Sequence, residues 1–138
     1  MEELYSKIKK DVLLHVINKG ADCKIARINL TPDDKYLQVG VMRMHAGKAF
    51  RAHKHVENIR TTNITQESWI IIKGKVKAFL YDLDDNILAI RILEQGDCSI
   101  TFKGGHTYEC LEDDTLVYEY KTGPYKGIEK DKVFLKEQ

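Results

Sequence analysis

Residues 47–74 read GKAFRAHKHVENIRTTNITQESWIIIKG, and this stretch decides the fold. His53 and His55 lie two apart, so an extended backbone puts both imidazoles on one face, about 7 Å apart along the strand. Glu67 then opens a run, Ser68 to Ile72, that is dense in β-formers. Gly74 interrupts it, and Val76, Ala78 and Leu80 continue with a period of two. Asp82 to Asn86 is a hairpin turn, from which Ile87 to Leu93 returns as the partner strand. A second turn at Gly96-Asp97 leads into the short apolar run Cys98 to Phe102, and Gly104-Gly105 delivers His106.

Outward from this block the pattern stays extended. Thr115 to Lys121 (TLVYEYK) is a strand that Gly123-Pro124 ends. Tyr36 to Met44 alternates as a strand after the turn Thr31-Pro32-Asp33-Asp34. The N-terminus is ambiguous: Glu2 to Lys10 is compatible with a short helix, and Val12 to Ile17 either extends it or forms a first strand, the preferred reading. The charged end, Tyr125 to Gln138, reads as a solvated tail with a docking patch at Val133, Phe134 and Leu135. Eight short strands without alternating long helices predict an all-β domain, closed or jelly-roll so that its edges are managed.

The composition narrows the function classes. A chain of 138 residues is the size of one domain. Lys plus Arg number 22 against 21 for Asp plus Glu, so there is no basic footprint for nucleic acid or an anionic membrane. No apolar run is long enough to span a bilayer, and MEELYSKIKK lacks the apolar core of a signal peptide. Cys23, Cys98 and Cys110 form no Cys-x-x-Cys pair and read as reduced thiols, which predicts a cytoplasmic protein.

The stretch from Gly47 to Cys110 resembles the two sequence motifs of the cupin superfamily, small jelly-roll β-barrels. The first motif is G-x5-H-x-H-x3–4-E-x6-G. Gly47, His53 and His55 match its first half, and Glu67 with Gly74 its second. Eleven residues separate His55 from Glu67, so ENIRTTNIT (residues 57–65) would form an enlarged loop beside the site. The second motif is G-x5-P-x-G-x2-H-x3-N. Gly96 and Gly104 fit it, Phe102 stands at the proline, His106 arrives one residue early and Cys110 stands at the asparagine. The resemblance implies a single cupin domain over residues 1–138, a homodimer, and His53, His55, Glu67 and His106 as ligands to one divalent transition metal (Fe, Zn, Mn or Ni). Three imidazoles and a carboxylate suit such an ion and leave coordination positions open. Glu57, on the strand face of His53 and His55, and Gln66, one register step from Glu67, are the rival fourth ligands.

Other residues have weaker claims. His15 and His45 have no partner at useful spacing. Trp69 reads as barrel core and Cys110 as a small core residue. Tyr108, Tyr118 and Tyr120 read mainly as packing, with a pocket-lining acid among them as the alternative. Glu119 faces the cavity as a general acid or base if its tyrosine neighbours face out. Arg43 and Arg60 are candidates for an anionic substrate.

Three functions follow from the resemblance. The first is a metal-dependent enzyme on a small molecule, the ion acting as Lewis acid or oxygen activator. The second is a metal-independent isomerase or epimerase of keto-sugar nucleotides. Cupins of that kind carry a His-rich stretch similar to Arg51 to His55, which would put the base at His53 or His55 and the acid at Tyr108, Tyr118 or Tyr120. The segment Thr122 to Tyr125 (TGPY) is similar to one associated with polysaccharide biosynthesis, which bears on context rather than reaction. The third is a non-catalytic module that holds a metal or small ligand.

Overall fold

The structure is a computed structural model that describes residues 1–136. Among these residues ten strands form three antiparallel sheets. The strands are β1 (Glu2–Tyr5), β2 (Leu13–Asn18), β3 (Arg27–Asn29), β4 (Gly40–Met42) and β5 (Glu67–Lys73), then β6 (Lys75–Tyr81), β7 (Ile87–Glu94), β8 (Cys98–Thr101), β9 (His106–Cys110) and β10 (Leu116–Lys121). A 3-10 turn at Gly20–Asp22 and a one-turn helix α1 (Ile128–Asp131) are the helical elements among the described residues. The chain is therefore all-β, and no helix of the described residues is long and apolar enough to cross a membrane.

The five-stranded sheet runs β1-β2-β8-β5-β10 and the three-stranded sheet β7-β6-β9. None of the sheets closes into a barrel. The two larger sheets instead face one another across a core of Ile17, Ile71, Val76, Ala78, Leu80 and Leu93. Period-two alternation produces this layer: Val76, Ala78 and Leu80 are fully buried while Lys75, Lys77 and Phe79 between them are half-buried. The opposite face of the five-stranded sheet carries a second core of Leu13, Val16, Leu30, Cys98, Ile100 and Phe102. The β3–β4 ribbon covers it through Ile28 and Val41.

The N-terminus departs from the helical alternative. Glu2 to Tyr5 is a strand paired with β2, and Leu4 packs onto the inter-sheet core. Ser6 ends the strand: its Oγ accepts from the backbone N–H of Ile8 and Lys9, closing a side-chain turn that competes with helix. Ser6 Oγ donates to the buried carboxylate of Asp82, which also accepts from the amides of Lys7 and Leu83. Burial alone would raise the Asp82 pKa, but these hydrogen bonds outweigh it and hold the carboxyl below its ordinary range. The hairpin turn at 82–86 thus pins the first hairpin. Of Tyr36 to Met44, only Gly40–Met42 pairs as a strand. Gln66 Oε1 takes the Leu37 amide and Thr31 Oγ1 the Val39 amide, while the Val39 carbonyl accepts from the Leu30 amide, the last backbone bond of the ribbon. The C-terminal tail contains α1, whose Asp131 accepts from Thr65 Oγ1 at 2.6 Å.

His15 is fully buried and satisfied. Its Nε2 donates to the Tyr81 carbonyl at 3.0 Å, which makes Nδ1 the acceptor for Thr101 Oγ1 at 3.0 Å. Burial, against the opposing Tyr81 bond, lowers its pKa from 6.5 to about 4. The unfolded chain therefore binds the extra proton first. Stability contributed by neutral His15 is complete above pH 6.5 and is lost as pH falls toward 4, by about 3 kcal/mol in all. Urea unfolding at pH 7 and pH 4 should show this loss, and His15→Asn should abolish that part of it. An undiminished pH dependence in the variant would contradict the assignment.

Candidate functional site

Glu67 opens β5 in one sheet and His106 opens β9 in the other, and the two meet between them. His106 Nε2 donates to Glu67 Oε1 at 3.1 Å. The same oxygen accepts from the indole Nε1 of Trp69 at 3.0 Å, because Glu67 and Trp69 share a face of β5. Burial raises the carboxyl pKa, but the hydrogen bond and charge of His106, the Trp69 bond and the Lys121 charge outweigh it. The result is a pKa lowered from 4.5 to about 2, so Glu67 is ionised wherever the fold persists near neutrality. His106 Nδ1 is buried with no hydrogen-bond partner among the described residues.

The Trp69 ring stacks on Tyr108 at 4.0 Å between centroids, 15° from parallel. The Tyr108 hydroxyl shares a hydrogen bond with Ser99 Oγ at 2.7 Å. Burial pushes its phenol above the ordinary tyrosine range despite the Ser99 bond. These contacts make a rigid wall beside the carboxylate–imidazole pair.

Strand β10 contributes the third side. Its register sets Glu119 opposite Trp69 and Lys121 opposite Glu67. Glu119 and Lys121 thus lie on the Glu67 face, 3.6 Å apart, and Lys121 also pairs with Asp131 at 3.8 Å. Tyr118 and Tyr120 take the opposite face, more than half exposed, with their rings 6.5 Å apart. The Cys98 thiol lies on the far face of the five-stranded sheet, where burial raises its pKa from 9.0 to about 11. Cys23, Cys98 and Cys110 are free thiols.

The two halves of the sequence-derived ligand set stand apart. Glu67 and His106 are together. His53 and His55 lie in the segment joining β4 to β5, their rings edge-on and 5.5 Å apart, both exposed. Among the described residues no group of three or more His, Cys, Asp or Glu side chains is arranged to hold a metal ion. Of the rivals to Glu67, Gln66 spends its carbonyl on the Leu37 amide and Glu57 is exposed in the same segment as the histidines. Arg43 Nε donates to the Cys23 carbonyl and Arg60 is exposed in the segment joining β4 to β5. Cys110 lies on the β9 face of His106 and Tyr108 but is exposed, so it is not a core residue.

Three contributors went unread in the sequence: the Trp69 indole as a donor, Ser99 as the anchor of Tyr108, and Lys121. Period two carried a signal for two of them, since Trp69 shares parity with Glu67 and Lys121 with Glu119. No family model, no curated protein and no solved structure matches this chain.

Proposed function

We propose that this chain is a cupin-type jelly-roll protein that binds one divalent transition metal through His53, His55, Glu67 and His106 and acts as an enzyme on a small molecule. The observation that supports this most is the Glu67–His106 contact. Two residues 39 apart in sequence, singled out by motif spacing, meet from facing sheets. Their 3.1 Å separation is a hydrogen bond, and also the spacing of two neighbouring donors on an ion with bonds of about 2.1 Å. The chemistry of the pair fits as well: an ionised carboxylate, and an imidazole whose Nε2, on giving up the proton it shares with Glu67, would become a lone-pair donor. Bound there, the metal would supply Lewis acidity to a substrate at an open position. The chain's own part is to keep Glu67 ionised, to aim His106 and to wall the site with Trp69 and Tyr108. The sheet orders and the facing core support the jelly-roll reading.

Calorimetric titration of metal into two variants tests the ligand set. Glu67→Gln should weaken binding at least tenfold, since a neutral amide replaces a carboxylate ligand, while Glu57→Gln should change it less than twofold. The reverse order would move the carboxylate to Glu57.

One observation favours a second reading, the metal-independent keto-sugar-nucleotide isomerase or epimerase. An ionised carboxylate holding an imidazole is also an acid–base pair. The base would then be His106 rather than the exposed His53 or His55, and the reading requires a keto-sugar nucleotide to bind chelator-treated protein.

A further inference from the structure

We propose that residues 131–135 are a strap joining the two larger sheets across the end of the gap that holds Glu67 and His106, and that its release governs access to that pair. This rests on the reading of Glu67 and His106 as a functional site, whichever of the two chemistries they carry.

The strap is tied on both sides of the pair. At the five-stranded sheet, Asp131 accepts from the Thr65 hydroxyl at 2.6 Å and lies 3.8 Å from Lys121 Nζ. Thr65 stands two residues before Glu67, and Lys121 is the cross-strand partner of Glu67. At the three-stranded sheet, Leu135 sits against Gly105, the residue before His106. The Gly105 carbonyl accepts from the Tyr81 amide at 2.9 Å, which fixes this anchor to β6. A Cβ built on Gly105 would lie 2.7 Å from Leu135 Cδ1 and 3.3 Å from Tyr81 Cβ. Gly105 has no positive φ, so its backbone does not call for glycine. What the missing side chain provides is room for Leu135. Residues 131 and 135 are at most about 14 Å apart along the chain, so the strap runs directly from one sheet to the other.

The same contacts leave the strap free to lift. Its middle faces solvent: Lys132 is exposed, Val133 is 90% and Phe134 79% exposed. Leu135 is only partly buried. Lys121 has a second carboxylate in Glu119 at 3.6 Å, so releasing Asp131 leaves that lysine with a partner. The Thr65 hydroxyl and the Asp131 carboxylate exchange one hydrogen bond for water, a small net loss. Few buried contacts and solvent-facing residues are the marks of a segment that opens locally while the core stays folded. The pair that it borders is largely shielded, with 8% of the Glu67 and 22% of the His106 side chain exposed. A lifted strap uncovers the end of the gap where both side chains lie.

Acylation of the chelator-treated full chain by diethyl pyrocarbonate, read at each histidine by peptide mass spectrometry, tests the strap without any metal. In the parent, His106 should react at least tenfold more slowly than the exposed His53 and His55. The Asp131→Ala/Leu135→Ala protein, which loses both anchors, should modify His106 at least tenfold faster than the parent, with His53 and His55 unchanged. Val133→Ala, in the same strap but at neither anchor, should leave the His106 rate as it is. Circular dichroism checks that each variant is folded. Should the double variant unfold, Leu135→Ala alone decides, with a rise of at least threefold expected. A His106 rate that matches His53 in the parent, or that stays the same when the anchors are removed, would overturn the strap and leave the metal reading standing. A parent that binds no metal would overturn the metal reading, and a His106 rate that still rises in the variant would leave the strap standing.

Discussion

Phe102→Ala is expected to destabilise the protein by about 3–5 kcal/mol, the range for truncating a fully buried aromatic ring. Phe102 is 1% exposed and packs with Leu13, Val16, Leu30, Cys98 and Ile100 between the five-stranded sheet and the β3–β4 ribbon. Its amide donates to the Leu14 carbonyl at 2.8 Å, continuing the β2–β8 pairing past the strand end. Against a total stability of about 5–15 kcal/mol the loss is a large fraction, and it should lower the thermal midpoint by on the order of 10 °C. Phe134→Ala is the matched control: that ring is 79% exposed, and its loss should cost within about 0.5 kcal/mol. Equal midpoints for Phe102→Ala and the parent would refute the second core. The motif that this stretch resembles has proline at the position of Phe102. The position needs an amide donor and a large apolar ring, and proline would supply neither.

Parts of the architecture that rest on local signals were legible in the sequence. The SWIII run is β5, the Asp82–Asn86 turn joins β6 to β7, and the glycine turn before His106 starts β9. At Gly104 the requirement is physical: φ is +80°, and a Cβ there would collide with the Tyr81 carbonyl. Parts that rest on tertiary pairing were not legible. Arg27–Asn29 has one apolar residue and becomes a strand only because β4 pairs with it. The first hairpin is fixed by Ser6 reaching Asp82, 76 residues away, which no window of local sequence reports. At the site, spacing singled out Glu67 and His106, and alternation set Glu119 opposite in face to Tyr118 and Tyr120. Spacing carried no information about how His53 and His55 approach them. The two histidines share a face only if their segment is extended beside another strand, and that depends on docking rather than on local preference.

The second large effect concerns the metal of the proposed function. The double substitution His53→Ala/His106→Ala removes one imidazole from each half of the ligand set. Losing two of four donors should reduce metal content to near zero, since an ion held by one imidazole and one carboxylate exchanges with solvent. The substitutions should leave the fold intact. His53 is exposed, and His106, partly buried at the first position of β9, belongs to neither buried cluster. Circular dichroism of the variant should match the parent.

The measurement to make is elemental analysis of tag-free protein, purified without added metal and again after reconstitution, beside this double variant. The account predicts close to one equivalent of a single transition metal in the parent and little in the variant. Iron would direct attention to oxygen activation, and zinc, manganese or nickel to Lewis-acid chemistry. No metal in the parent even after reconstitution, or equal metal in parent and variant, would contradict the account. The first of these results would leave the Glu67–His106 pair as an acid–base element.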